Sequence, residues 1–139
     1  MKKSAVFLTV LIFLTLTFSL TSQDVLTVEN MPPVVVKTVP EAGDTGVDPG
    51  LQEISVTFSK DMMTQDMWSW VMISRDSFPE ITGDIKFLED KRTCTARVRL
   101  EPGKTYAIWF NSEKMEGFRD TSSLPAIPYL LVFQTKSVN

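Results

Sequence analysis

Along residues 53–58 apolar and polar side chains alternate without a break. Ile54, Val56 and Phe58 fall on one face, and Ser55 and Thr57 on the other. A period of two is the mark of a half-buried strand. The same period returns over residues 93–100, which sends Cys94, Ala96, Val98 and Leu100 inward and Thr93, Thr95, Arg97 and Arg99 outward. Residues 34–39 are β-branched and bounded by Pro32-Pro33 and Pro40. Residues 106–110 and 129–133 are two more apolar runs rich in strand formers, and residues 70–74 and 83–88 are weaker ones. About seven strands at this spacing predict an antiparallel β-sandwich, because each half-polar strand has one face to bury. No segment keeps a helical period; residues 60–68 have room for one short helical turn.

The first residues follow a different pattern. Lys2 and Lys3 precede a run without charge from Ser4 to Leu20, and Thr21-Ser22-Gln23 follow before the first acid, Asp24. A basic start, an apolar stretch and small residues predict a signal helix over residues 1–22 that is cleaved after export. An uncleaved anchor is the competing reading, since the run only just reaches spanning length. Residues 23–32 then form a short tether, and residues 33–136 the domain. Either reading puts the domain outside the cytoplasm: periplasmic, at the cell surface or secreted. The sole cysteine, Cys94, lies too far along the chain to carry a lipid at the end of the signal.

Composition narrows the function. The chain has 139 residues and no His, so Ser-His and Cys-His catalytic pairs and imidazole ligands are excluded. One Cys excludes thiolate metal clusters and intrachain disulfides. Without Lys2 and Lys3, 12 basic residues face 17 acidic ones, and a mildly acidic domain has no electrostatic footprint for nucleic acid. These subtractions point to a non-catalytic module without cofactor or metal.

Individual motifs add little chemistry. Asp44-Thr45-Gly46 spells an aspartic-protease triplet but follows Glu41-Ala-Gly43 rather than a buried apolar strand, and reads as a turn. Asp44 and Asp48 supply two calcium-loop positions only, which rejects an EF-hand and leaves an irregular calcium loop as a minor alternative. A carboxylate-based hydrolase is the remote enzymatic reading. Trp68-Ser69-Trp70 is the segment with most binding potential. In an extended chain both indoles share a face, where they could stack on sugar rings or mark an interface; the alternative is that they fill the core. Met67 and Met72 flank them, with Met62 and Met63 nearby, as adaptable contacts or core filler.

A family resemblance rests on three motifs in order. Val39-Pro40-Glu-Ala-Gly43, Val47 and Ile54-Ser-Val-Thr-Phe58-Ser59-Lys60-Asp-Met62 open the match. Leu100-Glu-Pro102-Gly103-Lys-Thr-Tyr106 lies in its centre, and Phe133-Gln-Thr135 closes it. The chain resembles the bacterial Ig-like domains of the S-layer protein (SbsA) type from about Pro33 to Thr135. The family's Asp-x-x-Gly-Asn turn corresponds to residues 118–125, which keep Asp120 but lack the Gly-Asn pair. The resemblance implies a seven-stranded Greek-key sandwich and a spacer or adhesion role in larger surface proteins. The physics of the central motif agrees. Pro102 and Gly103 suit a tight turn, and Tyr106 stands where a tyrosine corner would bond back to the chain.

The sequence therefore predicts an Ig-like all-β domain binding an envelope protein or polysaccharide through Trp68, Trp70, Met67 and Met72. A structural role in surface assembly is the alternative. Tyr106, Pro102, Gly103, Phe58 and Phe133 are its structural residues.

Overall fold

The computed structural model describes residues 23–139; the predicted export signal lies outside the described residues. Seven strands are present there: β1 (Val35–Val39), β2 (Glu53–Phe58), β3 (Trp70–Met72), β4 (Glu80–Phe87), β5 (Thr93–Arg99), β6 (Thr105–Phe110) and β7 (Tyr129–Gln134). They form a four-stranded sheet in the order β1-β2-β5-β4 and a three-stranded sheet in the order β3-β6-β7. All named pairs are antiparallel. The strand order is that of a constant-type immunoglobulin sandwich.

The inward residues of β2 and β5 are those the alternation selects. Ile54, Val56, Cys94 and Ala96 are fully buried, and Phe58 and Val98 nearly so. Across the sandwich stand Tyr106, Ile108, Phe110, Leu131 and Phe133. Aromatic pairs tie the layers: Phe58 meets Phe118 at 4.8 Å between centroids, and Tyr106 stacks on Phe133 at 5.4 Å. Such pairs stabilise beyond their area alone.

Two expectations fail locally. Thr93 and Thr95 share the outward parity of Arg97 and Arg99 but are buried there rather than solvated. Thr95 stands in an inner strand between Ser55 and Lys86 on its neighbours, and a small side chain between cross-strand partners is covered by them. Thr93 is held by Asp90 and by the Thr57 hydroxyl, 3.0 Å away. Residues 60–68 contain no helical turn. Long-range backbone pairing takes their hydrogen bonds instead: Met62 N–H donates to Lys91 O, and Met63 N–H to Arg119 O.

The central motif forms a tyrosine corner. The Tyr106 hydroxyl accepts the Glu101 N–H at 2.7 Å, reaching back five residues. Gly103 takes φ +65°, the left-handed value its turn requires. Thr135 locks the same turn from β7: its hydroxyl donates to Glu101 O at 2.6 Å and accepts the Lys104 N–H at 3.0 Å.

The 118–125 loop closes without Gly-Asn. Asp120 Oδ1 accepts the N–H groups of Ser122 and Leu124, both at 2.9 Å. Ser123, three residues after Asp120 where the family pattern has glycine, takes φ +68°. Part of residues 23–32 is tied down by hydrogen bonds. Thr27 and Asn30 exchange side-chain-to-backbone hydrogen bonds, and Lys60 Nζ donates to the carbonyls of Val28, Glu29 and Met31.

Candidate functional site

The chain between β2 and β3 carries Trp68, and three local devices fix it. Ser69 is buried, and its hydroxyl accepts the Gly117 N–H at 2.7 Å. Ser69 O in turn accepts the Asn111 N–H. Asn111 is fully buried and left-handed at φ +59°. Its amide donates to Phe118 O and Ala126 O, and its carbonyl accepts the Phe118 N–H. The loop after β6 is thereby folded onto the backbone of Trp68, and Gly117 makes the close approach.

Opposite Trp68 stands the end of β4 with its hairpin to β5. Leu88 and Thr93 close the hairpin, and Lys91 turns it at φ +58°. Asp90 organises it by accepting the Thr93 hydroxyl at 2.6 Å and the N–H groups of Arg92 and Thr93. The Thr93 hydroxyl bond holds the Asp90 carboxyl below its ordinary range, assisted by the backbone donors against some desolvation. The two walls are cross-linked. Met62 N–H donates to Lys91 O at 2.9 Å, and Arg92 Nε meets Asp61 Oδ1 at 2.8 Å.

Between these walls lies an open groove of about 490 Å³. Trp68 with Ile85, Phe87 and Leu88 supplies its apolar surface. Thr64, Gln65 and Asp66 line one side, and Lys86, Glu89 and Lys91 the other. Asp66 sits at the loop tip with φ +51°. Among the described residues, none of the charged four takes part in an ion pair. An aromatic surface with several unengaged donors and acceptors around it can stack a ring and bond its hydroxyls.

The structure separates the four residues singled out in the sequence. Trp68 lines the groove, half-buried and packed on the core with its inner part. Trp70 pairs with Phe110 on β6 and meets that ring edge-on at 4.8 Å. Its Nε1 is buried with no hydrogen-bond partner among the described residues. Trp70 therefore belongs to the interior and not to the groove wall. Met72 is 52% exposed and lies instead beside Arg75 and Phe78. Met67 is half-buried and outside the groove lining. Asp44 and Asp48 each accept the N–H two residues on, at Gly46 and Gly50, as turn residues do.

Sequence reasoning missed the hairpin wall and the supports of Trp68. Lys86, Glu89 and Lys91 stand some twenty residues from the tryptophan, with nothing in the pattern to join them. Asn111 and Gly117 read as ordinary loop residues.

A family model for the bacterial Ig-like domain matches residues 29–135. Among solved structures, the S-layer protein rSbsC(31-844) is similar at 18% identity over 76% of this chain, with a TM-score of 0.48. Domains 1-6 of the surface layer protein SbsC are similar at 16% identity over 78%, with a TM-score of 0.44. This chain spans 14% of the length of each. No curated protein matches it. With the family model covering the sandwich from the strap before β1 to the end of β7, the chain belongs to the bacterial Ig-like domain family.

Proposed function

We propose that this chain is an extracytoplasmic, non-catalytic Ig-like module that binds a cell-envelope polysaccharide in the Trp68 groove. The observation that carries the reading is the groove itself: an indole wall facing polar side chains that have no ion-pair partner within the described residues. Sugars are recognised by that combination, an apolar ring face against an aromatic plane with hydroxyls bonded at the periphery. Asp66 and Glu89 are both exposed. Carboxylate catalysis needs a site that excludes water, and this groove is open to solvent. The location rests on Lys2-Lys3 and the uncharged run to Leu20.

The test is retention of purified envelope glycans by the protein and by Trp68→Ala. Truncating a central aromatic contact costs about 2 kcal/mol or more of binding, roughly thirtyfold. We expect that loss with the fold intact by circular dichroism. Equal retention by both proteins overturns the reading.

A further inference from the structure

The three-stranded sheet has a second face. On β6, Tyr106, Ile108 and Phe110 point inward and are buried, so Trp109 points outward. Its cross-strand neighbours are Val71 on β3 and Leu130 on β7. Val132 lies one step along β7, opposite Ala107. The outward row Val71–Trp109–Leu130 therefore crosses the whole sheet without a polar side chain. Val132 is 36% exposed, and Ile73 and Ile127 just beyond the strands are 56% and 51% exposed. Beside the indole of Trp109 opens a cleft of about 410 Å³, edged by Ser112, Glu113, Lys114 and Pro128.

Two observations select the occupant. First, apart from the indole N–H of Trp109 the row and Val132 offer no donor or acceptor, too few for a glycan's hydroxyls and suited to a protein surface. Second, the edge carries Glu113 and Lys114 side by side, neither ion-paired among the described residues. Adjacent opposite charges are self-complementary about a two-fold axis: Glu113 of one copy meets Lys114 of the other, and the reverse. The row itself is neutral, so the acidic balance of the chain does not oppose contact there. We infer that this face associates with the same face of a second copy of the chain.

The size of the face sets the strength. Strands about 4.8 Å apart, two of six residues and one of three, present roughly 250 Å² in projection, below the ~800 Å² per partner of a stable complex. The association is therefore weak and reversible, and becomes effective where many copies are held close together.

The experiment is sedimentation equilibrium of the purified protein up to ~1 mM, a concentration at which weak complexes form. We expect concentration-dependent dimers. Val132→Lys, at an exposed strand position, should abolish them without changing the thermal midpoint. Glu113→Lys should weaken association at least tenfold, and adding Lys114→Glu should restore it. The charge pair decides the matter even if Val132→Lys folds poorly. A monomer at every concentration, or association indifferent to the charge exchange, overturns the inference. The glycan test with Trp68→Ala concerns the other groove and stands or falls separately.

Discussion

An added Cβ on Gly117 would stand 2.3 Å from the carbonyl oxygen of Trp68 and 2.6 Å from the Ser69 hydroxyl. The first contact is with backbone, which cannot rotate away. Gly117 is not in the left-handed region, so its requirement is space and not conformation. Gly117→Ala must push the 112–117 loop off Trp68 and stretch the Ser69 hydrogen bond. Overpacking of this kind costs about 1–3 kcal/mol. We expect a fall of that size in urea unfolding. Glycan retention should fall with it, because the groove wall moves. An unchanged midpoint would show that the loop does not support Trp68.

Lys60 and Asp120 form a second junction. Their charged atoms are 2.6 Å apart, with Asp120 almost wholly buried and Lys60 13% exposed. Burial pushes the Asp120 carboxyl up, but the Lys60 ammonium and the amides of Leu124 and Ser122 outweigh it and hold the group below its ordinary value. A carboxyl with a depressed folded pKa contributes stability that is complete above its unfolded value, near pH 4, and drains away as pH falls through the folded value. Asp120→Asn should therefore cost about 3 kcal/mol at pH 7 by leaving a poorly hydrated ammonium without its anion. The gap between variant and native protein should narrow below about pH 4. A gap independent of pH would assign the loss to packing.

The strands were legible in the sequence because alternation is a local signal and the sandwich buries one face of each. Residues 53–58 and 93–100 needed only their own pattern, and the strand ends differ by a residue or so. β4 was harder: its register shifts between Ile81 and Ile85, and Gly83 stands where the inward side of the alternation needs an apolar side chain. The tyrosine corner was legible because donor and acceptor are five residues apart. The groove was not. Its walls come from residues 64–68 and 85–91, joined by Asp61–Arg92 and Met62–Lys91, pairings that no local pattern encodes. Asn111 was invisible for a related reason. Its partners are the backbone groups of Phe118 and Ala126, and a sequence does not index backbone groups by identity.

The turn at residues 101–104 is held from two sides, by Tyr106 and by Thr135. Tyr106→Phe removes the acceptor of the Glu101 N–H and should cost about 1–1.5 kcal/mol. Thr135→Val loses bonds to Glu101 O and Lys104 N and leaves a buried position without them, so about 2 kcal/mol is expected. Both variants free the same turn, so the double variant should be less destabilised than the sum. Strict additivity in denaturant unfolding would show that the two hydroxyls hold independent structures.

Trp68 and Trp70 are two residues apart yet should behave as different kinds of residue. Trp70 lies against Phe110, and its indole N–H is one of the groups that act on the buried Cys94 thiol. Burial pushes that thiol up to about 12, with the indole N–H acting weakly in the opposite sense. A thiol so placed stays protonated and inert at pH 8, since the thiolate is the nucleophile. In the native protein a thiol reagent should label Cys94 only as fast as the domain opens. Trp70→Ala removes one wall of the thiol's surroundings and should cost about 3–5 kcal/mol. Labelling should accelerate with it. Trp68 lines the groove, so Trp68→Ala should leave labelling close to the native rate while glycan retention falls. The comparison is made by following thiol release at pH 8 for the three proteins alongside their thermal midpoints. Equal acceleration in both variants would mean that the two indoles share one interior role, and the groove would lose its aromatic wall.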